Sequence, residues 1–129
     1  MKAQSSVEFM TIFSLLLVVV IFATIVSVQN TSSLVEAKKD IEIGRLLEYV
    51  GGRIDAAYLA GHGFSSNVTI PETILGFDYT LNTSQGSNVI YVNTSKSDYP
   101  RSILTNNVTG EFRKGENRIR NVEGEVVIS

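Results

Sequence analysis

Few side chains in this sequence are equipped for chemistry. Among 129 residues there is one histidine, His62, and no cysteine. Disulfides, thiolate metal sites and a cysteine nucleophile are therefore excluded. A lone imidazole between Gly61 and Gly63 is too little for a triad or a zinc site, and reads instead as a flexible connector. The sequence holds no Gly-rich phosphate loop, no HExxH and no nucleophile elbow. The chain is accordingly expected to be no enzyme, with no catalytic residues, no metal and no cofactor.

What does recur is the acceptor triplet for N-linked sugar, Asn-x-Ser/Thr. It stands at Asn30, Asn67, Asn82, Asn93 and Asn107. Each triplet alone is a weak signal, because Asn, Thr and Ser also make turns and exposed strand faces. Five of them, all beyond the apolar N-terminal stretch, predict an extracellular, sugar-bearing surface.

A second chemical feature is Glu8, a carboxylate at the edge of a long apolar run. Such a charge is costly unless something pairs with it. Ser5 and Glu8 also fit the S-x-x-E capping box of a helix start. Both readings stand at this point. The basic residues Arg113, Lys114, Arg118 and Arg120 are interleaved with Glu111, Glu116, Glu123 and Glu125. They read as a solvated face or as cross-strand pairs. With 11 basic against 13 acidic residues and a formal net charge of −2, nucleic acid is not the expected partner.

The elements that must position these groups differ sharply along the chain. Phe9 to Val28 is twenty residues without a charge, proline or glycine. As a helix it would rise about 30 Å, the thickness of a bilayer's hydrocarbon core. Gln29–Ser33 is polar enough to read as a linker. Leu34, Ala37, Ile41, Leu47, Val50, Ile54 and Tyr58 then recur among charges, which predicts an amphipathic helix ending near Gly61. Gly51-Gly52 predicts a kink or a loosened turn, at about 2 kcal/mol against alanine. A helix running unbroken from Ser5 to Ala60 would be about 80 Å long, more than a small soluble domain needs.

Beyond Gly63 the period changes. Short β segments are expected at Asn67–Ile70, Phe77–Leu81, Val89–Val92, Ser102–Thr105, Val108–Phe112, Arg118–Asn121 and Glu125–Ile128, with polar turns between them. The expected fold class is α+β: a long N-terminal helix, apolar and then amphipathic, followed by a small antiparallel β-sheet head. Four segments follow: 1–3, 4–28, 29–61 and 62–129. About 65 residues is a small core, so the head is expected to dock on the amphipathic helix.

The N-terminal string adds a resemblance. Lys2-Ala3 precedes polar Gln4-Ser5-Ser6-Val7-Glu8-Phe9, and the apolar stretch comes after it. A secretory signal has its small-residue cut site beyond the apolar stretch. The order here resembles the class III signal peptide of archaeal type IV pilins, with its Q-x-S-x-E-F-like hallmark. The resemblance covers the first 28 residues. It lacks the helix-breaking proline frequent in bacterial relatives.

The resemblance implies cleavage between Ala3 and Gln4 by a prepilin peptidase. It implies assembly through Gln4, Glu8 and Phe9, with Glu8 meeting the new N-terminal amine of Gln4 in a neighbouring subunit. It implies a helical homopolymer built by a membrane platform and its ATPase. The precursor would sit in membrane lipid, and the mature form in an adhesive surface filament. A minor pilin or pseudopilin, and a tethered binding module that never polymerises, remain as alternatives.

Overall fold

The computed structural model describes residues 1–129. One helix, α1 (Lys2–Ala60), precedes seven strands. These are β1 (Ser65–Ile70), β2 (Thr80–Thr83), β3 (Val89–Asn93), β4 (Asp98–Ser102), β5 (Val108–Thr109), β6 (Gly115–Val122) and β7 (Glu125–Ile128). The fold is α+β, a long N-terminal helix followed by a small, mainly antiparallel β head. The chain divides into two compact units, Met1–Lys38 and Lys39–Ser129.

The first unit is helical from Lys2, and every residue in it is exposed. Its polar side chains turn inward on the helix backbone. Thr11, Ser14 and Thr24 donate to the carbonyls of Val7, Met10 and Val20 at 2.7 to 2.8 Å. Back-bonding of this kind satisfies a hydroxyl without water. The stretch read as a linker is helix too: Thr31 donates to Ser27 O, and Ser32 and Ser33 donate to Gln29 O. The same hydroxyls that make such residues polar let them stay helical.

In the second unit, the helix buries Ile43, Leu46, Leu47, Val50, Ile54 and Ala57. Spacings of three and four put them on one stripe. Ile41 and Tyr58, expected on that stripe, are exposed; Ile43 and Ala57 take the core positions instead. The helix runs unbroken through Gly51-Gly52, so no loosened turn forms there. It stops where Gly61 enters the left-handed region at φ 80°, a conformation open to glycine.

The strands form two sheets, one ordered β1-β6-β7-β5 and the other β2-β3-β4. All pairings are antiparallel except β5 with β7, a two-residue parallel pair. The stripe on α1 joins Val68, Ile70, Leu81, Ile90, Val92, Ile119, Val126 and Ile128 in a single core. Alternation along β6 sends Asn117, Ile119 and Asn121 inward and Glu116, Arg118 and Arg120 outward, as a period of two requires. Strand boundaries shift from expectation at three places. Phe77 makes only a bridge to Ile74, β5 is two residues long, and the strand expected at Ser102–Thr105 instead lies at Asp98–Ser102.

Candidate functional site: an uncovered apolar helix and a clasped head

Gln4, Glu8 and Phe9 all lie inside α1 and are exposed. The helix begins at Lys2, with Ser5 N donating to Met1 O at 3.3 Å. Ser5 is therefore past the N-cap, and the capping-box reading of Ser5 and Glu8 is set aside. Ala3 and Gln4 occupy the first helical turn. Phe9 stacks on Phe13 one turn on, with ring centroids 6.3 Å apart. From Phe9 to Val28 the apolar side chains point in all directions around the helix and none is buried. The helix is long and apolar enough to cross a membrane.

The head is held to its helix by polar clasps that sequence reasoning missed. Arg101 on β4 lies across the helix at Gly51, where a Cβ would collide with its guanidinium. Its Nη1 donates to Asp55 Oδ2 at 3.2 Å and to Ser102 O at 3.0 Å, and its Nη2 to Glu48 Oε2 at 3.3 Å. Nε is buried and 3.3 Å from Glu48 Oε1, near enough for an ion pair but without a hydrogen bond. Asp55 matters more than Glu48, because its side chain is 19% exposed against 74% and water screens the exposed partner. Burial alone would lower the Arg101 pKa, but hydrogen bonds to Glu48 and Asp55 and their charges outweigh it and raise the pKa. Asp55 Oδ1 also accepts from Leu104 N at 2.8 Å, and Tyr99 donates to Asp40 at 2.7 Å.

At the helix C-terminus, buried Asn121 does the capping. Its Nδ2 donates to Ala57 O at 2.9 Å, and its Oδ1 accepts from Gly124 N at 2.9 Å. Ala57 O is among the last four helix carbonyls, which have no partner within the helix. His62 Nδ1 accepts from Glu123 N at 3.0 Å, so the residue read as a flexible connector ties the helix end to the β6–β7 turn. In that turn Glu123 and Gly124 both take positive φ, 53° and 89°, the two-residue form that suits hairpin twist. Asn117 fixes the loop before β6 through Arg113 N, Arg113 O and Gly115 O.

The basic residues divide. Arg118 and Arg120 face outward opposite Asn67 and Ser65 of β1, not opposite acids. Lys114 donates to Glu72 O at 2.9 Å and sits 3.1 Å from the centroid of the Tyr79 ring. Burial lowers the Lys114 pKa against the pull of Asp78 and Glu72. Burial, with the Glu72 charge, pushes the Tyr79 phenol up to about 12. The Tyr79 hydroxyl donates to Pro71 O.

The five acceptor asparagines are not gathered. Asn30 is on α1, Asn67 on β1, Asn82 on β2, Asn93 at the end of β3, and Asn107 just before β5. Only Asn82 and Asn93 touch: Asn82 Nδ2 donates to Asn93 Oδ1 at 2.8 Å, and Asn93 Nδ2 to Asp98 Oδ1 at 2.7 Å. Asn30, Asn67, Asn82 and Asn107 are exposed, and Asn93 is half-buried.

Compared with protein-family models, curated proteins and solved structures, the chain matches none.

Proposed function

We propose that this chain is a structural subunit of an archaeal type IV pilus-like adhesive filament, made as a membrane-anchored precursor and polymerised through its N-terminal helix. The observation that carries this reading is the wholly exposed, uncharged stretch Phe9–Val28 on α1, which has no cover within its own unit. In water such a surface must be buried. Lipid covers it in the precursor, and neighbouring copies cover it in the filament. Internal satisfaction of Thr11, Ser14 and Thr24 suits both environments, since neither supplies water.

The order Lys2-Ala3 followed by Gln4-Ser5-Ser6-Val7-Glu8-Phe9 supports cutting after Ala3 by a prepilin peptidase. Glu8 then pairs with the Gln4 amine of the next subunit, offsetting the cost of a carboxylate beside apolar surface. A membrane platform and its ATPase drive assembly. The head, with four of the five acceptor triplets, faces the exterior and carries sugar. This role calls for no catalytic residue.

The test is the N-terminal residue and intact mass of protein sheared from cells. A start at Gln4 with sugar-sized mass increments is expected. A start at Met1, with protein only in the membrane fraction, overturns the reading and leaves a tethered binding module.

A further inference from the structure

A β-sheet ends in strands whose outer backbone groups are unpaired, and such edges recruit strands from other molecules. This head has two sheets and so four edge strands: β1 and β5 in one sheet, β2 and β4 in the other. Three of the four coincide with an acceptor triplet. Asn67-Val68-Thr69 lies within β1, Asn82-Thr83-Ser84 begins in β2, and Asn107-Val108-Thr109 runs into β5. The fourth edge, β4, carries Pro100, which has no N–H to offer, beside charged Asp98. Of the three interior strands, β6 and β7 carry no triplet, and β3 carries one only at its last residue, Asn93. β1 is the most open to addition: six residues, SSNVTI, with no charge and no proline.

We infer that Asn67, Asn82 and Asn107 bear N-linked sugar whose role is to block edge-to-edge pairing between heads, while Asn93 stays bare. The inference rests on the reading of the head as extracellular. In the reaction, the asparagine Nδ2 attacks the anomeric carbon of a polyprenyl-phosphate-linked oligosaccharide. The N–C bond forms, the C–O bond to phosphate breaks, the phosphate leaves with the bonding pair, and the amide gives up one proton. Exposed Asn82 donates from Nδ2 to Asn93 Oδ1 at 2.8 Å and to Thr80 Oγ1 at 3.4 Å, so modification keeps the shorter bond and gives up the longer. Asn93 is different: it is half-buried, on the strand between β2 and β4, opposite Thr80 and Asp98, and its amide is bonded at both ends, accepting from Asn82 and donating to Asp98.

Sugar on the exposed face of an edge strand occupies the place of an incoming strand's side chain, because cross-strand neighbours lie about 5 Å apart. The end of β2 is also met by the residue after β5, where Thr83 donates to Gly110 O at 3.4 Å, so β1 is the edge that most needs its sugar.

The experiment maps glycopeptides on the full-length protein taken from its native membrane or surface, and measures light scattering by the same material after detergent extraction. Two variants remove the β1 triplet without touching Asn67: Thr69→Ala and Thr69→Lys. Thr69 is exposed and opposite Glu116, so lysine restores a charged guard where alanine does not. The expected results are sugar at Asn67, Asn82 and Asn107 and none at Asn93. Association rises several-fold for Thr69→Ala, but not for Thr69→Lys or Asn93→Gln. Absence of sugar from the edges, equal occupancy of Asn93, or a Thr69→Ala protein as dispersed as wild type would overturn the inference. A Met1 start would sink the filament reading while leaving this map intact.

Discussion

The two halves of α1 obey different rules although they share one helix. In Lys39–Ala60 six apolar residues fall on one stripe and are buried, and charged partners on the open face reach back to the strands. In the first unit the apolar residues surround the helix, and none is buried. All eighteen buried hydrophobic residues belong to Lys39–Ser129. An intramolecular core therefore stabilises the head, while the first unit buries none of its apolar surface. A stripe signals a helix covered on one side, and an unbroken apolar girdle signals one that needs cover all round.

That contrast can be broken by mutation. Removing core volume at Ile54, by Ile54→Ala, should cost the head about 2–5 kcal/mol. Leu16→Ala should change head stability by less than about 0.5 kcal/mol, because Leu16 has no cover to lose. Denaturant melts of the head signal, recorded in detergent, compare the two. Next in size is the helix cap: Asn121→Ala leaves Ala57 O and Gly124 N without their partner and should cost about 2–3 kcal/mol by the same melts.

The clasp can be probed through its two glycines. Gly52 has open space where a Cβ would go, so Gly52→Ala should stabilise by about 0.5–1 kcal/mol. Gly51→Ala should show no such gain, because it displaces Arg101 from between Glu48 and Asp55. The smallest effect is at Tyr79. Its phenol pKa is raised from 10.0 to about 12, so its contribution is fully present below pH 10 and is lost as pH rises through about 12. An absorbance titration should show a late ionising tyrosine near pH 12 that Tyr79→Phe abolishes.

Much of the architecture was legible. Periodicity located the helix and its end near Gly61, and short strand-like segments between polar turns located β1, β3, β6 and β7. The misses have physical causes. β4 is an exposed edge strand holding Pro100 and charges, so it has no apolar alternation to read. The buried stripe was misplaced at Ile41 and Tyr58 because exposed apolar residues also fall at helical spacing. Arg101 and Asn121 are polar residues whose roles come from partners 46 to 64 positions away, which local pattern cannot supply. Ser5 and Glu8 looked like a cap, but the S-x-x-E pattern does not exclude a helix already under way, and α1 begins at Lys2. The roles assigned to Ala3, Gln4, Glu8 and Phe9 rest on the order of residue types and on resemblance.

The central claim is that copies of this chain cover one another along Phe9–Val28. The absence of native cysteine makes a direct measurement possible: a single Val18→Cys chain, sheared from cells and treated with a short thiol crosslinker. Covalent dimers in the sheared fraction are the predicted result. Protein that stays wholly in the membrane fraction as uncrosslinked monomer would contradict the account.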